Sequence, residues 1–90
     1  MSPDEREQLM KIIRELSYEE REVTLASGRK STFYFDGKQT TLHARGGLLV
    51  GKAFWKEVQQ FAGPIHGVGG LTLGADPIAT ATSIAARLDK

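Results

Sequence analysis

The sequence predicts a mixed α/β fold: a helix and a β-hairpin, followed by the opening strand and helix of a parallel, helix-covered layer. Three observations predict it. Apolar residues recur at helical spacing in three separate stretches. Two period-two runs flank a glycine turn at Gly28. A short run, IHGVGG, stands between the second and third helical stretches, the order of an α/β unit.

The first helix is signalled at both levels. Ser2 and Glu5 have capping-box spacing, with Pro3 suited to the first helical position. Leu9, Ile12, Ile13 and Leu16 then form a one-sided apolar stripe, which predicts a helix ending near Leu16 or Ser17. In REVTLASGRKSTFYFDGK, Val23 and Leu25 alternate with polar residues, as do Phe33 and Phe35. The alternation predicts a hairpin around Ser27-Gly28-Arg29-Lys30, with Phe33 and Phe35 on the buried face and Tyr34 on the other. GKQTTLHARGG reads as a polar connection.

A second helix is predicted from about Gly47 to Phe61, with Val50, Phe54, Val58 and Phe61 inward, Trp55 at the edge as a packing residue, and Gly63-Pro64 as the stop. IHGVGG then reads as a strand with Val68 in the core. Asp76 suits a cap and Pro77 the first turn of a third helix, whose inner face carries Ile78, Ala81, Ala85 and Leu88. One core strand is too few for a parallel sheet, so the expectation is an incomplete layer.

Bulk properties exclude several function classes. The 90 residues carry a net charge of +1, which gives no whole-chain attraction to nucleic acid or acidic membranes. There is no cysteine, so disulfides and thiolate-zinc sites are excluded. His43 and His66 are isolated and suggest no metal site; His43 reads as a loop residue and His66 as a strand-edge residue. MSPDEREQLM is unlike a secretory signal, and no apolar run approaches the ~18 residues of a membrane span. The expectation is a soluble, cytoplasmic protein.

Two stretches point to ligand chemistry. Tyr34 offers a flat ring and a hydroxyl, and Lys38 lies an even step further on, the same side of a continuing strand. Together they suit a planar anion. GVGGLTLGADPIA places a glycine-bearing turn before a helix, where backbone N–H groups and the helix N-terminus suit a phosphate or diphosphate. It is neither a Walker loop nor a dinucleotide fingerprint. A tight turn with Asp76 as its own cap reads the same residues without a ligand.

TLASGRKSTFYFDGK (24–38) and GGLTLGADPIATA (69–81), in this order and spacing, resemble orotate phosphoribosyltransferases. The resemblance covers nearly the whole chain. It implies a type I phosphoribosyltransferase fold in which residues 1–44 supply a hood of helix and hairpin, and residues 45–90 the first strand and helix of the core. The implied reaction transfers phosphoribosyl from phosphoribosyl diphosphate, carried with Mg²⁺, to orotate, giving orotidine monophosphate and diphosphate in pyrimidine biosynthesis. By position, Tyr34 and Phe35 match the orotate-contacting segment, with Ser27, Gly28 and Arg29 as the supporting turn. Thr72, Leu73 and Gly74 match the diphosphate loop.

The chain departs from the family pattern in places. Many members have a lysine where this chain has Ala26, and Lys38 is the residue that would replace it. Many also have an aromatic and a lysine where Thr72 and Leu73 stand, so the implied contacts there run through the backbone. The family's mobile basic loop and its ribose-5-phosphate loop have no counterpart in these residues. The expectation is therefore the N-terminal part of a homodimeric enzyme, inactive without the C-terminal half. The alternative is a non-catalytic ligand-binding or assembly module that kept the hood.

Overall fold

Ser2 opens the first helix as its neighbours predict. Its Oγ accepts from the Glu5 N–H at 3.1 Å, and Glu5 Oε1 accepts from the Ser2 N–H at 3.1 Å, closing the capping box over α1 (Pro3–Ile12). In the computed structural model, which describes residues 1–89, α1 runs directly into a π turn at Ile13–Ser17. The wider turn brings Ser17 to a buried position and hands the chain to the hairpin.

Four two-residue strands build the hairpin. β1 (Tyr18–Glu19) pairs antiparallel with β4 (Tyr34–Phe35), and β2 (Val23–Thr24) with β3 (Lys30–Ser31). The ladders are nested: Tyr18 faces Phe35 and Glu19 faces Tyr34 at the base, while Val23 faces Ser31 and Thr24 faces Lys30 nearer the tip. At the tip the Gly28 N–H donates to the Leu25 carbonyl at 2.9 Å, and the Leu25 N–H donates to the Arg29 carbonyl at 2.8 Å. Gly28 has φ of 86°, the left-handed region that makes glycine the fitting residue.

Three helices follow: α2 (Lys38–Thr41), α3 (Ala44–Val58) and α4 (Ala75–Leu88). The core lies where α1, α3 and α4 meet. Leu9, Leu49 and Val50 are buried there, with Ile12, Ile13, Ala53 and Ile78 packed around them. Gly51 lets α3 approach α4 closely, since an added Cβ would stand 2.6 Å from the Ala81 carbonyl carbon. α2 packs against α3 and the π turn, and β1 against the π turn, so the hairpin base is anchored to the helical core.

Several expectations are corrected. IHGVGG forms no strand: residues 64–70 carry no regular structure, and Val68 is exposed rather than core. A strand is defined by a neighbour, and the described residues supply none beside it. The hairpin has no buried aromatic face. Phe33 and Phe35 are 49% and 52% exposed, because two-residue ladders present no continuous face to the core. Phe54, Phe61, Leu16 and Leu88 are also exposed, the last three beyond or at the ends of the contact between helices. The second helix begins and ends three residues earlier than predicted, and the stretch read as a connection contains α2.

Candidate functional site

The first cluster is built where the hairpin meets α2. The Asp36 N–H donates to the Ser17 carbonyl at 2.9 Å, extending the base ladder by one bond. The Asp36 carboxylate then accepts from the Lys38 N–H and from Gln39 Nε2, each at 3.2 Å. Such a turn converts strand into helix within two residues. Ser17 Oγ and Thr40 Oγ1 share a buried hydrogen bond of 2.6 Å, which holds α2 against the end of the π turn. Lys38 is thus the first residue of α2, and the strand on which it was to share a side with Tyr34 ends at Phe35. Its side chain is exposed, and among the described residues its ammonium forms no hydrogen bond or ion pair.

The aromatics keep a half-open arrangement. Tyr18 and Phe33 stack with ring centroids 5.8 Å apart and planes inclined by 26°. The Arg21 guanidinium sits 4.9 Å from the centre of the Tyr34 ring, a cation–π pair, while also bonding Glu19 at 3.0 Å. On one side of Tyr34 lies a concavity of about 410 Å³ lined by Glu15, Glu19, Asp36, Tyr18 and Gln39. Three carboxylates there disfavour an anion. In the supporting turn, Ser27 Oγ accepts from the Arg29 N–H at 3.4 Å, and the Arg29 side chain is exposed at the tip.

The second cluster is the loop entering α4. Gly74 occupies the N-cap position, so the helix begins one residue before Asp76, which does not cap it. The Ala75 N–H donates to the Leu71 carbonyl at 3.1 Å and the Asp76 N–H to the Leu73 carbonyl at 3.2 Å. Pro77 has no N–H to place. The Asp76 carboxylate accepts from the Thr72 hydroxyl. That leaves the N–H groups of Thr72, Leu73 and Gly74, all on exposed residues, without a protein acceptor among the described residues. The Thr72–Leu73 peptide is cis. Backbone donors at the positive end of a 14-residue helix suit a polyanion, with Asp76 the opposing charge.

The two clusters stand on different elements. α3 is their common platform, since α2 packs on it from one side and α4 from another. Sequence reasoning placed Tyr34 on the open face of the hairpin and the 72–74 loop outside the core, where the structure also has them, whereas Phe35, expected on the buried face, is exposed. It missed α2 and the role of His43, whose Nδ1 accepts from the Gly46 N–H at 3.1 Å as the N-cap of α3. Histidine is not among the usual capping residues, so the sequence carried no signal for it. Trp55 packs at the helix edge and donates its indole N–H to Asp89 at 2.9 Å.

Away from both clusters, Glu5 and Lys52 tie α1 to α3 at 2.6 Å. The Lys52 hydrogen bond, helped by that from the Ser2 backbone, lowers the Glu5 carboxyl from 4.5 to about 2. Among the described residues, no helix is long and apolar enough to cross a membrane.

The arrangement of the α3–α4 pair, the hairpin and the loop at the start of α4 is similar to that in solved phosphoribosyltransferases. A phosphoribosyltransferase from Corynebacterium diphtheriae superposes with a TM-score of 0.72 and 32% identity, over 91% of this chain and 44% of that one. The closer likeness in sequence is to orotate phosphoribosyltransferase. The Mycobacterium tuberculosis enzyme, solved with 5-phospho-α-D-ribosyl 1-diphosphate, superposes with a TM-score of 0.76 and 41% identity, over 90% of this chain and 46% of that one. The orotate phosphoribosyltransferase of Corynebacterium glutamicum is 42% identical over 81 residues, 90% of this chain and 43% of that protein. No family model matches the chain. The chain spans under half the length of these relatives.

Proposed function

We propose that this chain is the N-terminal part of an orotate phosphoribosyltransferase, with residues 1–44 as its hood and 45–90 as the start of its core. The complete enzyme transfers phosphoribosyl from phosphoribosyl diphosphate to orotate, giving orotidine monophosphate and diphosphate in pyrimidine biosynthesis. The observation that carries the reading is identity of 42% over nine-tenths of the chain to a protein of that name.

In this reading the two clusters divide the substrates. The Thr72, Leu73 and Gly74 N–H groups face the diphosphate and stabilise the charge it gains as the ribose–oxygen bond breaks. Backbone donors supply this without a side chain, which accommodates Thr72 and Leu73 in place of bulkier or charged residues. Tyr34 and Phe35 position the orotate ring, and the Lys38 ammonium neutralises its carboxylate. Ser27, Gly28 and Arg29 hold the turn. No nucleophilic side chain is required, because orotate nitrogen attacks the anomeric carbon directly.

Mg²⁺ belongs to this reading as an ion delivered with the donor. Among the described residues no three His, Asp or Glu side chains converge on one point, so this part of the chain offers no carboxylate cage of its own. The donor's phosphate oxygens are the ligands such an ion takes up readily. A cytoplasmic homodimer is the proposed assembly; sedimentation of the complete enzyme as an active monomer would remove that part.

The test is a chimera in which this chain replaces the matching part of the M. tuberculosis enzyme. A folded chimera should release diphosphate only with both orotate and donor present. Lys38→Ala should raise KM for orotate by about tenfold, the value of one charge-assisted hydrogen bond, and leave KM for the donor within about twofold. A folded chimera with no orotate-dependent turnover overturns the function. Equal losses for both substrates overturn the assignment of Lys38.

A further inference from the structure

We infer that Asp36 is a positioning residue for the orotate side of the site, fixing the turn from which the Lys38 side chain starts. The inference deepens the orotate phosphoribosyltransferase reading and rests on it.

Three observations support it. First, the two opening N–H groups of α2 both end on Asp36. The Lys38 N–H donates to Asp36 Oδ1 at 3.2 Å, and the Gln39 N–H donates to the Asp36 carbonyl at 3.3 Å. Gly37, at the N-cap position, has no side chain to supply such a bond. Second, Asp36 is tied on its other side to the hairpin base, where its own N–H donates to the Ser17 carbonyl at 2.9 Å. One residue thus joins the end of the strand to the helix that begins with Lys38. An added Cβ at Gly37 would lie 3.6 Å from Phe35 Cε1, so the Phe35 ring rests against the same turn. Third, the carboxylate is engaged by neutral donors. Oδ2 accepts from Gln39 Nε2 at 3.2 Å, and among the described residues Asp36 forms no ion pair. The Lys38 ammonium, two residues away, is left for a substrate carboxylate.

The body of α2 is held without the Asp36 side chain. Ser17 and Thr40 share their buried hydrogen bond, and α2 packs on α3. Loss of the carboxylate therefore loosens the first turn, where Lys38 stands, and leaves the rest of the helix in place. The 72–74 loop stands at the start of α4 and shares no hydrogen bond with this turn, so the loss falls on orotate. A direct contact with a ligand is the competing role, because Asp36 also lines the concavity beside Tyr34 with Glu15 and Glu19. The two roles differ in their dependence on Lys38.

The experiment uses the chimera with the M. tuberculosis enzyme and reads kcat and the two KM values separately. Asp36→Ala should raise KM for orotate about fivefold and leave KM for the donor within about twofold. The effect is smaller than that of Lys38→Ala, since a displaced ammonium keeps its charge. Asp36→Asn keeps an acceptor at the Oδ1 place and should stay within about twofold of the parent. Asp36→Glu keeps the charge but sets its carboxylate a methylene further out, and should behave as Asp36→Ala. In a Lys38→Ala background, Asp36→Ala should add less than about twofold, because its effect passes through Lys38.

Full and independent losses from Asp36→Ala and Lys38→Ala overturn the inference in favour of direct contact. So does a rise in both KM values, an Asp36→Asn as costly as Asp36→Ala, or an Asp36→Glu equal to the parent. Should Asp36→Ala fail to fold, the Asn and Glu variants carry the same test. A folded parent chimera without orotate-dependent turnover removes the proposed function and this inference together. An active parent with contrary variants removes the inference alone.

Discussion

Gly51→Ala is the sharpest test of how α3 and α4 meet. Added at Gly51, a Cβ would stand 2.6 Å from the Ala81 carbonyl carbon and 2.9 Å from Ala81 Cβ, where ordinary contact begins at 3.4 Å. The nearest atoms include the backbone of α4, so no side-chain rotation relieves the overlap. One helix must shift by about 0.8 Å, the shortfall against the carbonyl carbon. Overpacking of this kind costs about 1–3 kcal/mol, while alanine regains roughly 1 kcal/mol of helix propensity over glycine. Because the overlap is with backbone, the upper part of that range, about 2–3 kcal/mol, applies, and the expected net loss is about 1–2 kcal/mol, or a Tm lowered by roughly 4–16 °C in a chain of this size. Thermal unfolding followed by circular dichroism reads it. Gly67→Ala, where an added Cβ meets nothing within 4 Å, is the control and should stay within about 0.5 kcal/mol. A Gly51→Ala variant as stable as the parent would refute the close approach.

The remaining predictions concern the anchors of the hairpin and of α1. Ser17→Ala leaves the buried Thr40 hydroxyl without its 2.6 Å partner and should cost about 1–3 kcal/mol in urea unfolding. Adding Thr40→Val should recover part of that loss; strictly additive losses would show that the two hydroxyls do not act as a pair. Gly28→Ala forces a Cβ into a residue at φ of 86° and should cost about 1–2 kcal/mol, read by the same unfolding curves. Glu5 is held ionised in the fold at a pKa of about 2 against 4.5, so its contribution to stability is complete above pH 4.5 and is lost as pH falls from 4.5 toward 2. Acid titration of Glu5→Gln should therefore show a shallower fall across that window, and an unchanged slope would contradict the Lys52 pairing.

Several signals in the sequence that need only nearby residues were legible. The Ser2–Glu5 box closes within one helical turn, and Gly28 satisfies a backbone angle within a four-residue turn. The helical stripes were legible for the same reason, since Leu9 and Val50 repeat at spacings set by the helix itself. A two-residue strand lies below the length at which alternation is informative, so β1 escaped notice although the run containing β4 was legible. The turn that redirects Lys38 depends on the Asp36 carboxylate, a common residue with many uses.

Thus the sequence alone determined the three longer helices, the glycine turn, and the two stretches that point to a planar anion and a diphosphate. Tertiary structure decided which apolar residues are core. Leu49 is fully enclosed, while Phe35, Phe54 and Phe61 lie open, because burial depends on which elements meet and not on periodicity within one. It also decided that residues 65–70 are unpaired. Helices satisfy their backbone hydrogen bonds internally, whereas a strand requires a neighbour, so a strand-like sequence becomes a strand only where another segment lies beside it.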